Sequence, residues 1–185
     1  MVLTRMISGY GAEAVATQRV GGQIESISWN TADGFAAALN AFIAQNYGAG
    51  RNDRVRKGYK ASLWTVGIWG LLISAVFICV PEPIARIFFH EPAAIATAVE
   101  YLIIIGFSEA FMCVELTTVG ALSGLGRTRL CSIISIAFTS ARIPLAIILG
   151  GIMGLNGIWW ALSSTSIVKG IIFTCTFLWI TRKRK

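Results

Sequence analysis

Long apolar runs divide the chain at regular intervals. Four of them, at about residues 61–80, 95–122, 130–149 and 155–180, reach the roughly 20 residues that a helix needs to cross hydrocarbon. A fifth run, at about 12–46, is as long but studded with polar residues, and it ends in the glycine turn Gly48-Ala49-Gly50. None shows the alternation over about ten residues that marks a barrel strand. Residues 1–8, MVLTRMIS, rise only about 12 Å as a helix, and they lack the apolar core of a cleavable signal. The pattern predicts an all-α, polytopic membrane helix bundle of five complete transmembrane helices plus the end of a sixth. With no linker or low-complexity tract, residues 1–185 are expected to form a single transmembrane domain.

Composition agrees with the pattern: 55% of the residues are hydrophobic and 14% charged, against about 25% charged in soluble domains. Charge then orients the bundle. Of the 16 Lys and Arg, five lie between Arg51 and Lys60, two are Arg127 and Arg129, and four run from Arg182 to Lys185. The loops expected at the opposite end carry only Arg86. Such asymmetry predicts a cytoplasmic C-terminus and a multi-pass protein of the plasma (cell inner) membrane. The net charge of +7 then reflects topology and contact with the lipid bilayer. No basic stripe on a soluble surface is visible, so nucleic acid is not an expected partner.

Polar residues inside the spans are where chemistry is expected, because hydrocarbon penalises them. Arg19, Gln23, Ser26, Asn30, Asp33 and Asn40 fall near one stripe of the first long helix. That stripe borders either a water-filled cavity or a dry interface in which every group is hydrogen-bonded. Glu25 lies about 200° round from Gln23 and needs a partner of its own or a protonated state. In the third complete helix Glu109 and Glu115 sit among Phe107, Phe111, Met112 and Leu116. A carboxylate withdrawn from water takes up a proton more readily, which suits a proton-coupled carrier. The alternative is an ion pair with Arg142 or Lys169, which would hold the acid ionised.

Other residues carry less. Cys79, Cys113, Cys131 and Cys175 fall one per span without metal-ligand spacing and are expected to be small buried residues. No metal site or organic cofactor is expected. His90 belongs to a solvated loop, and the neighbouring IARIFFH run is amphipathic and suits the interface, with Phe88 and Phe89 dipping in. Trp159, Trp160 and Trp179, near opposite ends of the last helix, are expected to form an aromatic belt. The phrases Gly48-Ala49-Gly50-Arg51 and Gly124-Leu125-Gly126-Arg127 echo one another 76 residues apart, as glycine caps on basic loops would.

Several phrases taken together carry a resemblance: GAEAVATQRVGGQIES, GFAAALNAFIAQNYGAGRNDRVRKGYKAS, VGALSGLGRTRLCSI, ARIPLAIIL and GLNGIWWALSSTSIVKGI. In this order and spacing the chain resembles the multidrug and toxin extrusion (MATE) family of secondary transporters, over nearly its whole length. The resemblance implies about twelve helices in two lobes, of which this chain matches the second, with an N-terminal lobe as its missing partner. It also implies export of cationic small molecules and drugs by antiport, with H+ or Na+ as coupling ion. Gln23 matches the position of an acid in some family members. The later family acid falls at Met112, with Glu109 and Glu115 one turn to either side.

The candidate substrate- or cation-binding residues are therefore Gln23, Asn30, Asp33, Glu109 and Glu115. Two other functions stay open: an inactive or regulatory membrane fragment, and a flippase for lipid-linked sugars. No Ser/His pair, HExxH or metal cluster suggests an enzyme.

Overall fold

The structure is a computed structural model that describes residues 2–182, all of its regular elements being helical. In chain order they are α1 (Val2–Ser8), α2 (Ala12–Gly48), α3 (Asn52–Cys79), α4 (Pro81–Phe88), α5 (Pro92–Gly124), α6 (Thr128–Met153) and α7 (Leu155–Arg182). Among the described residues α3, α5, α6 and α7 are long and apolar enough to cross a membrane. Helix α2, with 37 residues, has the length but is interrupted by Gln18, Arg19, Gln23, Glu25, Asn30 and Asp33. The chain is a helical membrane bundle, and its outer surface shows it: Ile133, Ile136 and Ile152 of α6 are exposed, Ile152 by 75%.

Helix α5 is the central post, packed by α2, α3 and α7, while α6 packs chiefly on α7. Small residues make these approaches possible, as in other bundles where apolar side chains alone give no preference over lipid. A Cβ on Gly120 would meet the Ala36 carbonyl oxygen of α2 at 2.4 Å, and one on Gly170 would meet the Phe111 carbonyl oxygen at 2.6 Å. Gly70 of α3 would strike the Ala110 Cα at 2.8 Å. Larger residues at these points would force the helices apart.

Two helices end in the same way. After α2, Gly50 takes φ +72° and donates to the Tyr47 carbonyl at 3.0 Å, and Arg51 N–H donates to the Asn46 carbonyl at 2.8 Å. After α5, Gly126 takes φ +72° and donates to Ser123 at 2.9 Å, and Arg127 N–H reaches Leu122 at 2.9 Å. Both are Schellman endings, in which a left-handed glycine satisfies carbonyls the helix leaves open. The echo between the two basic loops is therefore one of geometry as well as sequence.

Two expectations need correction. Cys113 and Cys131 are buried, but Cys79 and Cys175 are exposed on the bundle, since only one face of each outer helix meets the core. Trp159 is fully buried rather than part of an aromatic belt. It packs edge-on against Tyr101 with ring centroids 5.0 Å apart. Trp179 remains exposed. His90 is exposed after α4, a short helix that opens with Pro81, whose missing N–H costs nothing at a helix start.

Candidate functional site

A cavity of about 460 Å³ opens among α2, α5, α6 and α7. Its α2 wall consists of Gln18, Gly22, Glu25, Trp29, Asn30 and Asp33, a succession of steps of three and four residues with Asn30 at its margin. The α5 wall follows the same rhythm through Tyr101, Ile105, Ser108, Met112 and Glu115. Arg142 of α6 and Ser166 and Lys169 of α7 complete the polar lining.

At one side of the cavity a chain of hydrogen bonds joins three helices. Trp159 Nε1 of α7 donates to Gln18 Oε1 at 2.9 Å, and Gln18 Nε2 donates to the Tyr101 hydroxyl at 3.2 Å. The Tyr101 hydroxyl in turn donates to Glu25 Oε1. Glu25 is only 4% exposed, so this phenol is a substantial part of what replaces water around its carboxyl group. Gly21 creates the space: a Cβ there would overlap the Tyr101 ring, 2.1 Å from Cε1.

At the other side the charges are paired. Lys169 Nζ lies 2.8 Å from Glu115 Oε1, with both side chains largely buried. Arg142 donates through Nε to Thr165 Oγ1 at 2.9 Å and through Nη2 to Ser166 Oγ at 3.1 Å. Of the three acids on the cavity wall, Glu115 alone forms a salt bridge among the described residues. Glu25 is held by a neutral donor, and Asp33 is exposed.

The sequence candidates divide accordingly. Asn30, Asp33 and Glu115 line the cavity, whereas Gln23 is exposed on α2 outside it. Glu109 is fully buried beside the cavity, and neither carboxyl oxygen makes a hydrogen bond of normal geometry among the described residues, the Ser28 hydroxyl being its neighbouring donor. The neighbouring Ser28 hydroxyl is 3.2 Å from Cys113 Sγ. Of the polar stripe, Asn30 and Asp33 reach the cavity while Arg19, Gln23, Ser26 and Asn40 lie outside its lining, because the observed face centres on Gln18, Glu25 and Trp29. Sequence reasoning set Glu25 apart and missed Gln18 and Tyr101. The available signal was the seven-residue step from Gln18 to Glu25, with small Gly22 between them on the same face.

The sequence also matches the family profile described as MatE, over residues 1–148. The chain belongs to the MatE family. A relative from Thermotoga maritima, named as a probable multidrug resistance protein NorM, is 30% identical over 91% of this MatE chain and 37% of its own length. A protein of Shewanella oneidensis named as an FAD transporter is 24% identical over 96% of the chain and 39% of its own length. The crystal structure of the Vibrio cholerae MATE transporter VcmN in its bent form superposes with a TM-score of 0.89 at 19% identity. That match covers 97% of this MatE chain and 41% of the other. The MatE chain thus spans less than half the length of the curated relatives it matches.

Proposed function

We propose that this chain is one lobe of a secondary exporter of organic cations, working with a second lobe and driven by inward flow of protons or sodium ions. The observation that carries the reading is the cavity wall on which Glu25 and Asp33 stand without basic partners. Glu115 is neutralised by Lys169, and Arg142 keeps its charge while donating to two hydroxyl groups, so three acids against two bases leave one negative charge on the wall when all are ionised. The remaining charge facing the cavity favours a positively charged guest. Partial coverage of the relatives supports a partner lobe. The basic loops support a cytoplasmic position for the end that carries Arg51, Arg127 and Arg182, in the plasma membrane.

In this reading a proton or cation arriving at Glu25 competes with the Tyr101 hydroxyl. Displacing that hydroxyl loosens Tyr101 from α2 and, through Gln18, perturbs the bond to Trp159 on α7. Ion occupancy is thereby coupled to the packing of α2 against α5 and α7. Glu109, buried beside this network with only the Ser28 hydroxyl as a neighbouring donor, is a second proton-accepting position. Asn30 and Asp33 contact the guest where the cavity is more open.

The test is efflux of a fluorescent cationic dye from cells producing the chain, alone and with the corresponding first lobe of a relative. Efflux with that first lobe present, abolished by Glu25→Gln and weakened by Asp33→Asn, is the expected result. Unchanged efflux in both variants would overturn it. A second reading, export of an anionic compound, is favoured by Arg142 and Lys169 on the same wall and by the relative named for FAD. Efflux of an anionic dye abolished by Arg142→Gln but insensitive to Asp33→Asn would select it.

A further inference from the structure

A groove between α3 and α7, at the end of the bundle bearing the basic loops, takes no part in the cavity above. It encloses about 670 Å³, with Arg56, Lys60, Leu63 and Trp64 on its α3 wall and Leu178 and Arg182 on its α7 wall. From Arg56 to Trp64 the helix rises about 12 Å, so one wall changes from cationic groups to an indole. Trp64 is 65% exposed and Leu178 is 53% exposed. The floor is rigid: Tyr59 stacks on Phe177 with ring centroids 3.8 Å apart, and its hydroxyl is 3.0 Å from Thr118 Oγ1. Arg56 donates to the Thr181 carbonyl and so ties the two helices together. Among the described residues no acidic side chain lines the groove, and beyond Arg182 the sequence continues Lys183-Arg184-Lys185.

We propose that this groove binds one anionic phospholipid, its phosphate between Lys60 and Arg182 and an acyl chain along Leu63, Trp64 and Leu178. The two parts of the wall select that occupant together. Free phosphate would answer the cations and leave the exposed indole and leucine uncovered. A neutral lipid would cover the apolar part and leave the cations without counter-charge. An anionic lipid satisfies both, in the manner of basic pockets between membrane helices.

Native mass spectrometry of the full chain in detergent, with equal amounts of phosphatidylglycerol and phosphatidylcholine of matched acyl chains, tests the site. The expected result is one retained phosphatidylglycerol. Its occupancy falls by about tenfold in Lys60→Gln/Arg182→Gln. Arg56, which also braces the helices, is left intact. The control Arg54→Gln/Lys57→Gln removes the same charge from exposed positions of α3 outside the groove and leaves retention unchanged. Equal retention of the two lipids, or a preference that survives the double substitution, overturns the proposal. Trp64→Ala keeps every cation and alters an exposed side chain, so it reads the acyl part without endangering the fold. Weakened retention supports a lipid. Unchanged retention, together with displacement by inorganic phosphate, shows a headgroup-only anion site and overturns it.

Discussion

The Tyr101 hydroxyl donates a hydrogen bond to Glu25 Oε1 across the α2–α5 interface, and the absence of a side chain at Gly21 makes room for the ring that carries it. Gly21→Ala would place a methyl group 2.1 Å from Tyr101 Cε1. The ring must then move away from Glu25, at an expected loss of about 1–3 kcal/mol. Thermal unfolding in detergent should show a lowered Tm. Gly22→Ala, with no atom within 4 Å of its new Cβ, is the matched control and should hold or raise Tm through helix propensity.

Removing only the phenol oxygen isolates the hydrogen bonds from the packing. Tyr101→Phe keeps the ring but deprives Glu25 of a donor and Gln18 Nε2 of an acceptor. Leaving such buried groups unmatched costs about 1–3 kcal/mol, again read as a lower Tm. A Tm equal to that of the unmodified chain would show that the relay contributes nothing to stability.

The Glu115–Lys169 pair should behave asymmetrically. Lys169→Met strands a largely buried carboxylate and is expected to cost about 3–5 kcal/mol, whereas Lys169→Met/Glu115→Leu should recover most of that loss. A double-mutant cycle on unfolding free energies checks the difference. Additive losses would show that the two groups do not interact.

Glu109 is expected to trade stability for use. Both of its oxygens are buried without a hydrogen bond of normal geometry, Ser28 being the neighbouring donor, so Glu109→Leu removes a poorly matched polar group and should raise stability by about 1–3 kcal/mol. Thermal unfolding and dye efflux measured on the same variant separate the roles. A higher Tm with lost efflux marks a group kept for transport, and a lower Tm contradicts the burial argument.

The two Schellman endings predict equal sensitivities at distant positions. Gly50→Ala and Gly126→Ala each force a side chain into φ +72°, at about 1–2 kcal/mol. Neither new Cβ meets an atom within 4 Å, so the two Tm shifts should be similar. A marked difference would show that surroundings, rather than backbone strain, control the turns.

Much of the bundle was legible from local chemistry. The apolar runs and the glycines at positions 50 and 126 act within a few residues of themselves. The same locality made the family phrases readable. Asn30, Asp33 and Glu115 were found as candidates because charged or amide groups inside a span need a reason to be there. The rotation of α2 was not legible, and it separates Gln23 from the cavity and brings Glu25 into it. A helix carries its polar residues on several faces, and periodicity alone does not say which face meets a neighbour.

From the sequence alone came the helices, their ends, the basic loops and the family resemblance, because each depends on residues close together along the chain. Only the tertiary structure decided that Tyr101 serves Glu25, that Lys169 takes Glu115 and that Glu109 is left beside Ser28 without a hydrogen bond of normal geometry. Those outcomes depend on where glycines let one helix approach another. Gly21 against Tyr101 and Gly120 against Ala36 set the register between α2 and α5, and steric fit between segments distant in sequence is not written in either segment by itself.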